Sequence, residues 1–470
     1  MRATYGRAAR VFTQGALIAL AVCLLGGLLS AVYHWPPGGA ALQGLGVDLR
    51  SLRPLHTVFG AAWLLLAAIA VVARYLQDNT VLIGGWGRWR LRGIVLAWAL
   101  AGTGILVSLP AGWTSGREYM GYHPIWSIPI ALGWALLTWT VLRETWRGFW
   151  ARPVYVAMWG TGCVLFAATF LEQHAWLLPG VFADPIVDRR IQWKACGTLV
   201  GALNLMVYGA IHYVGERLGG DPGFARRKRA WALFYLALAN TFLNYLHHTY
   251  HLPQGHGLKW FGFAISMTEI GILWATLRDL TRAKGPHGDA GTLLLHVAKV
   301  WALFVLVTAI PMSVPPLNTL IHGTWTVAGH AMAGMVGLDT MAMLGALAWL
   351  LSERDERAAA LLASAAMRRR VVVLNLAIAV LVLWLHGAGA WDGVTRYLAP
   401  TTAEAFSWRS GAFSTALPAV LLVSGVVAFF SFVSLLWSWF GLAFAARRAR
   451  ALVSPEARRL SPGSDARPAS

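Results

Sequence analysis

Cysteine is nearly absent from this chain. Cys23, Cys163 and Cys196 stand far apart in 470 residues. No CxxCH motif offers covalent attachment of haem c, and no CxxC pair offers a zinc or iron–sulfur site. A cytochrome c haem that feeds electrons to this chain therefore sits on another polypeptide. Acidic residues are also scarce, with 20 Asp and Glu against 39 Lys and Arg. No repeat of fixed period runs through the sequence. The net charge of +19 does not signal nucleic acid, because charged residues make up only 13% of the chain and hydrophobic ones 57%. That balance excludes a soluble domain and indicates a polytopic membrane protein.

Long apolar runs are what the chain has in abundance. Runs of about 18–25 residues predict twelve transmembrane helices near 12–33, 56–76, 93–111, 125–142, 154–176, 193–214, 230–249, 258–278, 291–312, 320–351, 371–390 and 415–445. The fold class is all-α, one membrane domain over 1–445, with lipid as its surroundings. The basic tail 446–470 is rich in small polar residues and is expected to be disordered. The first run follows Arg2, Arg7 and Arg10 but is too long for a signal-peptide core, so it reads as an anchor. Arg50, Arg53, Arg117, Arg189, Arg190, Lys259, Arg396 and Arg409 fall on one side of the predicted bundle. Lys194 and Lys299 fall inside spans, and every other Lys and Arg lies on the side of the termini. This asymmetry predicts both termini in the cytoplasm.

The stretch 322–350 organises the rest. It is apolar enough to span a bilayer, yet it carries His322, Trp325, His330 and Met332. At about 100° per residue, His330 and Met332 project roughly 200° apart. One helix thus offers an imidazole to one side and a thioether to the other, both plausible haem ligands; the alternative is a packed histidine and a core methionine. His56 enters the second span just after Arg53, a pairing that suits haem iron and a propionate. Glu118 is one of very few carboxylates near a span entry, where calcium, an ion pair with Arg117 or plain solvation is open. Glu172 and His174 read as an interfacial rim, and His212 with Glu216 as a surface pair. His247 and His248 are adjacent at membrane depth, a transition-metal signal in which only one ring can coordinate from a regular helix. His251 and His256 follow in a loop and read as solvent-exposed. Glu269 lies in the middle of apolar sequence, so it is protonated, paired or a metal ligand. By topology His56, His247, His248, His330 and Met332 share the outer half of the membrane, and such intramembrane clusters usually mark function.

These residues resemble subunit I of the haem–copper oxidase superfamily, most nearly the C-family oxidases and the cytochrome-c-dependent nitric oxide reductases. The marks are RPLHT at 53–57, GREY at 116–119, HH at 247–248, the WFG…S…E pattern ending at Glu269, and WTVAGHAM at 325–332. The resemblance implies a bacterial inner-membrane protein with a low-spin haem b held by His56 and Met332 and a high-spin haem b held by His330. It implies a non-haem iron or copper at His247 and His248, and a calcium site at Glu118. A cytochrome c-type subunit or another donor would supply electrons for a small gaseous substrate. Two features favour nitric oxide as that substrate: Glu269 itself, and Thr241 in place of the oxidases' active-site tyrosine six residues before HH. Two features depart from the pattern. Met332 replaces a histidine, which should raise that haem's potential, and the third metal histidine falls at about Cys196 or Gly197. Three completions are open: Cys196 ligates, Lys194 fills the space, or Glu269 joins the two histidines, which suits iron(II). The rivals to nitric oxide reduction are a terminal oxidase and a non-catalytic haem protein for electron transfer or sensing.

Overall fold

The computed structural model describes residues 2–79, 85–218, 221, 223–281, 289–353, 355–401, 403–404 and 412–444. The tail 446–470 and Arg409 lie outside them. Among the described residues the regular elements are helices, with one isolated antiparallel bridge between Thr114 and Tyr122. In chain order they are α1 Arg2–His34, α2 Pro36–Gly44, α3 Leu49–Asn79, α4 Gly85–Ser108, α5 Ser127–Thr145, α6 Val154–Glu172 and α7 Pro179–Phe182. Then come α8 Pro185–Arg217, α9 Lys228–Leu243, α10 His256–Thr281, α11 Ala290–Ser313, α12 Pro315–Ile321, α13 Trp325–Met332, α14 Thr340–Ser352, α15 Glu356–Ala363, α16 Ala365–Leu398 and α17 Ala412–Phe444. In this membrane bundle ten described stretches are long and apolar enough to cross a bilayer, and they match ten of the twelve predicted spans. The other two predictions fall on α9, which has 16 residues, and on α10.

Two predicted spans are not single regular helices. The run at 230–249 stops being α-helical after Leu243 and tightens into a 3₁₀ turn over Asn244–Thr249. The histidine pair therefore sits on tightened backbone. The run at 320–351 begins with a break, because Gly323 takes φ +74° and the Thr324 hydroxyl then caps α13 by accepting from the Thr326 amide. Further on, a π-turn over Ala333–Asp339 separates α13 from α14. Its wide ring is held by the Thr340 hydroxyl, which donates to the Met335 carbonyl at 2.7 Å. Trp63 Nε1 in turn donates to that hydroxyl at 3.0 Å. Gly337 makes the turn possible at close quarters, since a Cβ there would lie 2.4 Å from Trp301 Cδ2.

The bundle has two distinct ends. Gly6 packs against Gln77, Gln14 bonds the Ala443 carbonyl, and Arg74 and Arg217 both pair with Glu353. The described ends of the first and last helices therefore share one face. The opposite face carries Arg117–Asp188 and Lys194–Glu172.

Substituting Gly337→Val should destabilise the bundle by about 1–3 kcal/mol through overpacking, whereas Gly271→Ala, with nothing within 4 Å of the added carbon, should be close to neutral. Thermal unfolding of the two variants in one detergent tests this; equal midpoints would contradict the braced π-turn.

Candidate functional site

One cavity of about 1600 Å³ runs through the bundle, larger than the roughly 300–1000 Å³ of ordinary ligand pockets. Every site residue predicted from the sequence lines it: Arg53, His56, Glu118, Cys196, His247, His248, Glu269, His330 and Met332. These come from α3, the loop before α5, α8, the 3₁₀ turn after α9, α10 and α13, elements far apart in the chain.

Three of the imidazoles are wired alike. His56 Nδ1 faces the Cys23 carbonyl at 2.9 Å; a carbonyl only accepts, so Nδ1 carries the proton. Gly26 and Gly27 allow this approach, since a Cβ on Gly27 would lie 2.8 Å from that nitrogen. His330 Nδ1 faces the Thr308 hydroxyl at 2.9 Å. That hydroxyl spends its one proton on the backbone carbonyls of Phe304 and Val305, at 3.0 and 3.1 Å. His330 Nδ1 is again the favoured donor. His247 Nδ1 faces Ser266 Oγ at 3.1 Å, and Ser266 donates to the Gly262 carbonyl at 2.9 Å. The carbonyl partner fixes the proton of His56 on Nδ1 and its lone pair on Nε2, and hydroxyls that donate to the backbone favour the same tautomer in His330 and His247. Metal-bound histidines are held in this way by their outer partners. His34, His174, His296 and His386 bond helix carbonyls through Nδ1 in the same way, so what marks His56, His330 and Met332 as candidates for haem is their place on the cavity wall.

The second metal fits less well. The rings of His247 and His248 lie 4.1 Å apart, and His248 stacks on Trp193 at 5.8 Å with planes 3° apart. Among the described residues, however, no three side chains of His, Cys, Asp or Glu come together as a metal shell. Lys194 is engaged elsewhere, donating to both oxygens of Glu172 at 2.8 and 2.6 Å. Cys196 is buried beside Gln173.

The opposite face from the chain ends is a belt of ion pairs. Glu118 pairs with Arg53 and not with Arg117, which instead grips Asp188 at 2.8 Å and lies over the Trp176 ring at 4.7 Å. His174 Nε2 bonds Ser127 Oγ at 2.7 Å, so Glu172 and His174 form a polar rim. His251 is exposed, as expected, and stacks on His322 with centroids 4.3 Å apart.

One expectation is corrected. His212 is not part of a surface pair: it is 7% exposed, against the Phe224 ring, and lines the deep end of the cavity. Its position near the end of α8 read as interfacial because the 3₁₀ turn Phe224–Arg226, which covers it, has no apolar periodicity. Two further residues went unnoticed in the sequence. Asp339 is buried at the end of the π-turn. His386 donates from Nδ1 to the Val382 carbonyl at 2.9 Å and packs against Gly329, directly behind His330. A lone charged residue inside an apolar run was the available signal for Asp339.

A family model described as Cytochrome C and Quinol oxidase polypeptide I matches residues 7–433. Among solved structures, a heme-copper terminal oxidase dimer determined by cryo-EM matches with a TM-score of 0.65 at 15% identity, over 94% of this chain and 85% of the other. At that identity the likeness is one of fold. No curated protein matches.

Replacing Thr308 by Val keeps the shape and removes the acceptor for His330 Nδ1. Loss of such an outer partner typically weakens binding about 10–100-fold, so on the expectation of one haem at His330 and another at His56, Thr308→Val should release one haem to apomyoglobin faster and leave the other. Release at the wild-type rate would show that the Thr308 contact does not hold the ligand.

Proposed function

The chain belongs to the Cytochrome C and Quinol oxidase polypeptide I family, and from that premise we propose that it reduces nitric oxide to nitrous oxide. Membership gives the coarse reading: a membrane-bound respiratory oxidoreductase with haem and a metal centre. The finer reading rests on Thr241. Its side chain is buried, its hydroxyl donates to the Ala237 carbonyl at 2.9 Å, and its methyl lies where a Cβ on Gly201 would come within 2.4 Å. No phenol stands at that position. Cleaving oxygen in one step draws on such a donor, whereas coupling two nitric oxide molecules takes two electrons and two protons and releases one water.

In this reading His56 and Met332 hold a low-spin haem b, and His330 holds a high-spin haem b. Bound haem iron would supply electron transfer and a site for the gas. The chain's own residues do the rest. Ser266 orients His247, and Trp193 flattens His248 against the cavity wall, so both imidazoles are set before substrate arrives. Glu269, on the same wall, holds and releases a proton at its carboxyl. Arg53, beside Glu118, offers its guanidinium to a propionate. His247, His248 and Glu269 remain the preferred donors for iron or copper, although they do not close a three-donor shell. Electrons would come from a cytochrome c-type subunit or from quinol, in a bacterial inner membrane with both termini cytoplasmic.

A second reading, oxygen reduction, is favoured by one observation: Tyr208 and Tyr245 are phenols on the cavity wall. Gas consumption by the purified, haem-loaded protein separates the two. The expected result is nitric oxide consumed several times faster than oxygen, with nitrous oxide as product. Faster oxygen use would replace the first reading by the second. Consumption of neither gas, with two haems bound, would favour the non-catalytic haem protein, for electron transfer or sensing.

A further inference from the structure

The arginines of α4 and α5 fall into two sets where these helices meet, at the face of the described chain ends. Arg90 turns inward. Its Nε donates to Thr140 Oγ1 at 3.2 Å and its Nη2 to Glu144 Oε1 at 3.4 Å, and the two side chains are only 2% and 1% exposed. The Trp139 ring of α5 closes over the guanidinium at 5.3 Å, so Arg90 is neutralised and covered inside the seam. Arg92 and Arg143 are exposed instead, and no carboxylate among the described residues pairs with either. Other arginines of this face do find acceptors within the protein: Arg74 and Arg217 share Glu353, Arg227 has Asp221, and Arg370 bonds the Ser434 carbonyl.

The two free guanidiniums stand among indoles on one side of the hairpin. Along α5, Trp139, Arg143 and Trp146 follow the i, i+4, i+7 spacing of a single helical face, and both tryptophans are at least half exposed. Along α4, Trp89 and Arg92 are three residues apart and therefore neighbours, and Trp89 is 63% exposed. Two and three turns further into the membrane the same faces become apolar. Leu96 and Leu100 continue the Trp89 side, and Leu132 and Ile128 continue the Trp139 side, all of them more than half exposed. The contact of Trp139 with Arg90 joins the two faces across the seam. Cations and indoles above an alkyl surface match the layers of a phospholipid: tryptophan prefers the interface, the guanidinium fork fits a phosphate, and the leucines accept acyl chains.

We propose that the α4–α5 rim is a binding site for an anionic phospholipid, whose phosphate is held between Arg92 and Arg143 and whose chains lie along the leucines below. The lipid supplies the negative charge that the described residues do not give these two arginines. It also bridges the two helices at one end of the hairpin. The other end carries the loop that presents Glu118 to Arg53 at the cavity, so the lipid braces the segment that closes this side of the cavity. The site is independent of which gas the cavity serves.

Native mass spectrometry of the detergent-solubilised full chain, titrated with phosphatidylglycerol or phosphatidylcholine, tests the site. The wild type should bind phosphatidylglycerol in preference to phosphatidylcholine, and inorganic phosphate should not displace it. The double variant Arg92→Gln, Arg143→Gln should bind phosphatidylglycerol about 10–30-fold more weakly. Lys228→Gln with Arg229→Gln removes the same charge from exposed positions at the start of α9 on the same face and should bind as the wild type does. Wild-type affinity in the first pair, or an equal loss in the second, would overturn the site. Equal binding of phosphatidylcholine would also overturn it, and displacement by inorganic phosphate would replace it with a site for free anions. If the first double variant does not fold, Arg92→Lys and Arg143→Lys decide: each keeps the charge and loses the fork, so binding should weaken a few-fold, and unchanged affinity in both would overturn the site.

Discussion

The arrangement depends on one modest constraint: where the proton sits on an imidazole. His56 gives Nδ1–H to a backbone carbonyl, which cannot give a proton back, and His330 to a hydroxyl already committed to the backbone. His247 does the same through Ser266. Each bond is worth only about 1 kcal/mol net, but together they favour a free Nε2 lone pair on three rings before a cofactor arrives. The rest of the bundle serves that end. Gly26 and Gly27 bring α1 against His56, and α11 carries Thr308 to His330.

Backbone irregularities lie where chemistry is concentrated. The adjacent histidines stand on the 3₁₀ turn with their rings 4.1 Å apart. The π-turn follows directly on Met332 and ends at Asp339. A helix hydrogen-bonded in the usual register would place that carboxyl on a different face. Thr340, Trp63 and Trp301 stabilise the distortion by bonding and packing that no neighbouring turn needs.

Much of this was legible in the sequence. Apolar run length predicted the spans, because a bilayer core of about 30 Å imposes its own length on a helix. Polar residues at one depth identified the cavity lining, because each is costly there without a purpose. What the sequence did not reveal depends on contacts between distant segments. Arg117 pairs with Asp188 and leaves Glu118 to Arg53, a choice set by how the loop before α5 meets α3 and α8. The burial of His212 depends on the Phe224 turn. The third donor beside His247 and His248 was open in the sequence, and the described side chains do not close that shell either. Lys194, however, is bound to Glu172.

The central claim is that α13 serves two haems from opposite sides, with His330 facing one and Met332 the other. A spectroelectrochemical titration of the wild type and of Met332→His tests it most directly. The account predicts two haem transitions in both proteins, with one shifted to lower potential in the variant because histidine replaces a thioether, and the other unmoved. Two unmoved transitions, or a single haem in the wild type, would contradict it.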